Sequence, residues 1–168
     1  MKSLIIYFSR RGENYINGMV QDITKGNCEI VAEIVKEITG ADVFEVQTLV
    51  PYPVEYEKVI EQTQEEYRVK ARPELKEYLD DISAYDRIIL VGPNWWDTYP
   101  MAMFTELERL DWKGKTVYPC ITHEDSGMGF LMRDIHRFCR GATIKDGLAI
   151  RGTDVSQAGG LLKAWLDL

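Results

Sequence analysis

The chain has 168 residues, 45% hydrophobic and 28% charged, which supports a buried core and excludes a disordered chain. A formal charge of −7 disfavours nucleic acid as a partner, because phosphates demand a basic patch. No apolar run approaches the roughly 20 residues that cross a bilayer, so a membrane partner is not expected either.

The elements alternate along the chain. Residues 3–8 are apolar throughout, as in a strand covered on both faces. A long polar stretch follows. Residues 27–39 then read as a helix, with Ile30, Ile34 and Ile38 every fourth residue, Asn27 as N-cap and Gly40 as the stop. Residues 42–47 are a second, more polar strand. Beyond "VPYPVEY", residues 55–70 form a charged helix whose buried side is Tyr56, Val59, Ile60 and Tyr67. Pro73 is expected to start another short helix. Residues 87–91 ("RIILV") are the third strand, and Pro100 leads a helix over 101–110. Residues 115–122 are the fourth strand and 130–140 a helix. Residues 148–151 end a fifth strand, and 157–166 close the chain as a helix. Five alternations predict a parallel sheet with helices on both faces. Ligands of such sheets sit beyond the carboxyl ends of the strands, at the switch point.

Three loops lie there. The first carries Ser9, Asn14 and Asn27, with Gly12 and Gly26 allowing close backbone approach, and leads to a helix N-terminus. That is an anion site, most naturally for a phosphate, to which Arg10 or Arg11 can add a bidentate contact. It is neither a GxxxxGK[ST] nor a GxGxxG loop. The second, "GPNWWDTYP", sets two tryptophans at the end of a buried strand. One is expected to enter the core, and a planar ring can stack on the other. The third, "THEDSGMG", is small and polar. Its His123-Glu124 pair lacks the second histidine of HExxH, so no metal site is expected, and no catalytic acid or nucleophile set is evident. His136, among charged neighbours, reads as a surface residue. Cys28, Cys120 and Cys139 have no CxxC spacing. Their odd number, without a signal segment, implies reduced thiols and a cytoplasmic protein.

Together the three loops resemble the flavodoxin-like family, in particular bacterial members whose phosphate loop is split by an insertion. "YFSRRGEN…GNCEIVAE", "GPNWWDTYPMAMFTELE" and "THEDSGMG" are similar to the patterns "YFSRxGxN…GNTxxVAE", "GxPNWWGxxPMPxFTFLE" and "THEGSGxG", in the same order. The resemblance covers essentially the whole chain. It implies a single α/β domain over residues 1–168: a flavodoxin-like three-layer sandwich with a five-stranded parallel sheet in order 2-1-3-4-5 and helices on both faces. It further implies that flavin mononucleotide (FMN) is the cofactor. Ser9, Arg11, Asn14, Asn27 and Cys28 would hold its phosphate. Pro93, Asn94, Trp95, Trp96 and Asp97 would border its ring. His123, Glu124, Ser126 and Gly127 would meet the ring's polar edge.

Three residues depart from the pattern. Cys28 replaces a threonine; a thiol donates weakly, which would lower phosphate affinity, and a helix N-terminus favours a reactive thiol while a bound phosphate dianion would oppose the thiolate. Asp97 and Asp125 replace glycines. A carboxylate facing the flavin would disfavour an added electron and make a stronger reductant. The expected role is a low-potential electron carrier docking transiently with a reductase and an acceptor protein. The alternative is a small FMN-dependent NAD(P)H oxidoreductase of quinone-reductase type. The fold hosts both, and either a monomer or a homodimer is compatible. A third reading keeps the fold as a binding module without flavin.

Overall fold

The computed structural model describes residues 1–168. The first apolar run forms β1 (Ser3–Tyr7), buried along its whole length. A hairpin of β2 (Gly12–Ile16) and β3 (Met19–Ile23) follows, then α1 (Asn27–Thr39) and β4 (Asp42–Glu45). Next come α2 (Tyr56–Val69), β5 (Arg87–Pro93), α3 (Met101–Leu107), β6 (Thr116–His123) and α4 (Leu131–Phe138). The chain closes with β7 (Thr143–Ile144), β8 (Leu148–Arg151), a 3-10 segment (Gly152–Gln157) and α5 (Gly159–Trp165).

The main sheet runs β4-β1-β5-β6, with β7 and β8 both on the outer edge of β6. Every pairing in it is parallel. With β7 and β8 taken as one interrupted strand, the order is the 2-1-3-4-5 expected from the sequence. The interruption has a local cause. Lys145 N–H donates to the Val117 carbonyl at 2.8 Å. Two residues further along the same edge of β6 stands Pro119, which has no N–H to donate. The outer strand leaves there and resumes opposite Cys120.

Side chains of β1 alternate between two cores. Leu4 and Ile6 join Ile88, Leu90 and Val117 beneath Phe104, Leu131 and Ile135. Ile5 and Tyr7 join Ile89, Val91 and Cys120 beneath Val31 and Val35 of α1 and Leu162 of α5. A strand apolar at every position must be covered on both faces. Here α3 and α4 cover one face, and α1 and α5 the other. Each Leu or Ile so buried contributes ~1.5–3 kcal/mol. No helix is long and apolar enough to cross a membrane.

Four local expectations are corrected. The polar stretch after β1 is an antiparallel hairpin with Ile16 opposite Met19. The N-cap of α1 is Gly26, and Asn27 is the first helical residue. Capping comes from outside the helix, because Ser9 Oγ accepts the Glu29 N–H at 3.2 Å. A Cβ at residue 26 would strike Ser9 Oγ and the Arg10 carbonyl, so only glycine fits there. Pro73 starts no helix. Thr48 and Leu75 instead form an isolated antiparallel bridge, flanked by Leu49 N–H to Glu74 O (2.8 Å) and Lys76 N–H to Gln47 O (2.9 Å). That pairing takes the backbone groups a helical turn would need. The helix after Pro100 ends at Leu107, three residues earlier than expected. Gly40 stops α1 as expected, in the left-handed conformation (φ 67°) with its N–H on the Lys36 carbonyl.

Candidate functional site

A cleft of about 410 Å³ opens at the carboxyl ends of β1, β5 and β6. The strand order reverses between β1 and β5, which is where such sheets form ligand crevices. The volume falls within the range of small-molecule sites.

At one end are Ser9, Asn27 and Cys28. The N–H groups of Asn27 and Cys28 precede the first intrahelical bond of α1, from Ile30 N–H to the Gly26 carbonyl, so they are free for an anion. Asn14 also lines the cleft, with its amide donating to the Arg10 carbonyl at 2.9 Å. The cation here is Arg10. Its Nε donates to Glu13 O and its Nη2 to Val54 O, each at 2.9 Å. Burial lowers its pKa, while Glu13 favours the charged form. Arg11 does not line the cleft. It forms a bidentate pair with Glu29 at 2.9 and 2.8 Å, and that bond raises its pKa and lowers that of Glu29.

Cys28 is buried, its Sγ 3.1 Å from Thr122 Oγ1. Burial pushes its thiol pKa up to about 12 against the lowering effect of Thr122. Desolvation outweighs the hydrogen bonds from Thr122, which runs against the reactive thiol expected at this helix N-terminus.

The second wall is the loop after β5. Trp95 N–H donates to the Thr98 carbonyl at 2.8 Å, closing a turn whose central residues are left-handed, Trp96 at φ 61° and Asp97 at φ 68°. A bulky residue at positive φ costs of order 1–3 kcal/mol and occurs where surrounding bonds enforce it. Those bonds are present. Trp96 Nε1 donates to Thr63 Oγ1 at 3.0 Å, Asp97 N–H to Asn94 Oδ1 at 2.9 Å, and Phe130 N–H to the Asp97 carbonyl at 2.6 Å. Trp95 is half-buried: it packs against the edge of the core, edge-on to Phe8 (5.0 Å) and Tyr52 (5.4 Å), and also lines the cleft, so neither tryptophan is fully buried. Trp96 is held against α2 at the side of the cleft. Pro93 and Asn94 line the cleft as well, and Asp97 lines it while remaining exposed.

The third wall is the loop after β6, with His123, Glu124 and Ser126 in the lining. His123 Nδ1 is buried without a hydrogen-bond partner. An orphaned buried ring nitrogen at a cleft calls for a ligand or water. Gly127 supports the wall from behind, its carbonyl accepting Asn94 Nδ2 at 2.9 Å. His136 is exposed, as expected.

Sequence reading missed the fourth wall. Tyr56, Val59, Ile60 and Thr63 of α2 face the cleft, as does Tyr15 of the hairpin. Their helical spacing was the available signal, but an apolar stripe marks a buried face without telling core from cleft.

A family model described as Flavodoxin matches residues 19–168, so the match begins inside the hairpin. Among solved structures, a candidate flavoprotein from Bacteroides uniformis ATCC 8492 superposes with a TM-score of 0.75 at 22% identity, over 96% of this chain and 97% of that one. A flavoprotein in complex with FMN from Lactobacillus acidophilus NCFM gives 0.59 at 18% identity, over 93% and 97%. An NADPH-quinone reductase from P. pentosaceus gives 0.53 at 16% identity, over 98% and 95%. At these identities the likenesses establish the fold. No curated protein matches in sequence.

Proposed function

The chain belongs to the flavodoxin family, and we propose that it binds FMN in the cleft and acts as a low-potential electron carrier. The observation that carries this reading is the convergence of three loops on one crevice, with helix N–H groups at one end and a strained tryptophan turn at the other. Ser9, Asn27 and the N–H groups of Asn27 and Cys28 would hold the phosphate, with Arg10 supplying positive charge. Pro93, Asn94, Trp95, Trp96 and Asp97 would border the ring. The orphaned His123 Nδ1, with Glu124 and Ser126 beside it, would face the ring's polar edge, with Gly127 bracing the loop through Asn94. FMN supplies the redox chemistry; the chain binds, orients and tunes it.

The net charge of −7 supports transient docking to redox partners with basic surfaces, a reductase and an acceptor. Three free, buried cysteines fit a reducing compartment, and we assign the protein to the cytoplasm.

A second reading, an FMN-dependent NAD(P)H oxidoreductase acting on a small planar acceptor, is favoured by one observation. Tyr15 and Tyr56, stacked at 22° with centroids 6.4 Å apart, line the cleft as an aromatic wall. Anaerobic addition of NADPH alone to the FMN-loaded protein separates the two. A flavin absorption band that persists until a flavodoxin reductase is added supports the carrier; rapid bleaching by NADPH supports the oxidoreductase.

A further inference from the structure

We propose that the β2–β3 hairpin is a hinged strap across the cofactor cleft, latched by Glu13 at one wall and Glu124 at the other, and that its opening governs cofactor exchange. This rests on the FMN reading above. The hairpin strands pair only with each other and lie outside the main sheet. No residue of 12–23 is fully buried, and Met19 and Val20 are exposed. The hairpin therefore has no core of its own and depends on individual contacts, as low-stability, opening-prone segments do.

Those contacts bridge the cleft. Near the base, Glu13 Oε2 accepts the Tyr56 N–H at 2.7 Å. This is the first residue of α2, where a carboxylate satisfies a free donor and meets the positive end of the helix dipole. At the tip, the Asn17 N–H donates to Glu124 Oε2 at 3.1 Å. Asn17 (φ 51°) and Gly18 (φ 83°) form the turn that presents this N–H, in the conformation hairpin turns favour. One end of the strap is thus tied to α2 and the other to the loop after β6. Between the latches, Asn14 and Tyr15 line the cleft.

Arg10 links the strap to the anion end. It follows Ser9 directly, and its guanidinium holds the Glu13 carbonyl of the hairpin and the Val54 carbonyl before α2. An anion drawn to Arg10 is expected to favour the closed arrangement. Gly12, at φ 85° with open space where a Cβ would stand, marks one hinge. The exposed Thr24 and Lys25 lie at the other.

Two measurements test the strap: amide hydrogen exchange on the cofactor-free protein, and stopped-flow release of FMN from the loaded protein. Glu13→Ala is expected to speed FMN release about tenfold or more, the scale of one charge-assisted hydrogen bond. It is also expected to accelerate exchange at Asn17 as well as at Tyr56, since freeing one latch frees the whole strap. Glu13→Gln, which keeps an acceptor oxygen, is expected to restore most of the parent behaviour. Tyr15→Ala leaves the Glu13 latch in place and is expected to speed release about threefold, from loss of the ring pair. Unchanged FMN release in both alanine variants, or exchange at Asn17 that ignores Glu13, overturns the strap. A parent protein that takes up no FMN defeats the cofactor reading instead, and exchange at Asn17 in Glu13→Ala still decides whether the hairpin opens as a unit.

Discussion

The side-chain amide of Asn94 donates to the Gly127 carbonyl at 2.9 Å, joining the loop after β5 to the loop after β6. Its Oδ1 accepts the Asp97 N–H, and its own backbone N–H donates to Thr122 O at 2.8 Å. One residue therefore sets both the left-handed turn at Trp96 and the spacing of two cleft walls. Asn94→Ala is expected to weaken FMN binding at least tenfold and to lower stability by about 1–3 kcal/mol, the cost of leaving such partners unpaired. Asn94→Asp keeps the acceptor for Asp97 N–H but sets a carboxylate oxygen against the Gly127 carbonyl, and is expected to be at least as disruptive as alanine. Fluorescence titration and urea denaturation measure the two effects.

Asp97 replaces the glycine of the resembling pattern, and φ 68° explains why glycine suits the site. Asparagine tolerates this region as aspartate does, so Asp97→Asn isolates the charge. The variant is expected to raise the midpoint potential of bound FMN by tens of millivolts, and less at high salt, because Asp97 is exposed and screened. A potential unchanged at low ionic strength would show that Asp97 does not act on the flavin.

Glu106 lies fully buried in α3, with Oε1 accepting the Leu79 N–H at 3.0 Å and Oε2 at 3.6 Å from Arg109. Burial raises its pKa to about 7, against the lowering effects of Arg109 and the Leu79 N–H. In the unfolded chain the group ionises near 4.5. Between these values the native state binds more protons, so stability falls as pH rises through the window and levels off above it. The total is up to about 3 kcal/mol. Glu106→Gln keeps the acceptor for Leu79 and removes the charge. It is expected to flatten this dependence and to be the more stable form at pH 8, read by urea denaturation at pH 5 and 8.

All three cysteines are buried. Burial pushes Cys28 and Cys139 to about 12 and Cys120 well above its ordinary value. Thiolate is the reactive form, so the native protein should give no fast reaction with a thiol reagent at pH 8 and release the full cysteine count on denaturation. Fast native labelling would show that the segment holding the labelled cysteine, α1, β6 or the end of α4, opens readily.

The centre of the main sheet was legible because β1, β5 and β6 are apolar and buried along most of their length, a pattern imposed by cover on both faces. The hairpin was not read, although Asn17-Gly18 is a strong hairpin signal. Its strands, GENYI and MVQDI, are short and of mixed polarity, the first half-buried and the second mostly exposed, so no apolar alternation marked them. Pro73 misled because its first-turn propensity is a local property, whereas the bridge between Thr48 and Leu75 is made across 27 residues of chain. Among the cleft residues, those beside a strand end were visible as interrupted apolar runs. The choice between Arg10 and Arg11 was not, since adjacent arginines look alike until Glu29 claims one and the carbonyls of Glu13 and Val54 claim the other.

The central claim is that FMN sits in the cleft with its phosphate at Ser9 and Asn27. The direct measurement is an FMN fluorescence titration of the cofactor-free protein, alongside the Ser9→Ala/Asn27→Ala double variant. The account predicts saturable, equimolar quenching by the parent protein and at least tenfold weaker binding by the variant, the loss of about one hydrogen bond to a charged group. Equal affinity in the two proteins, or no binding by the parent, would contradict it.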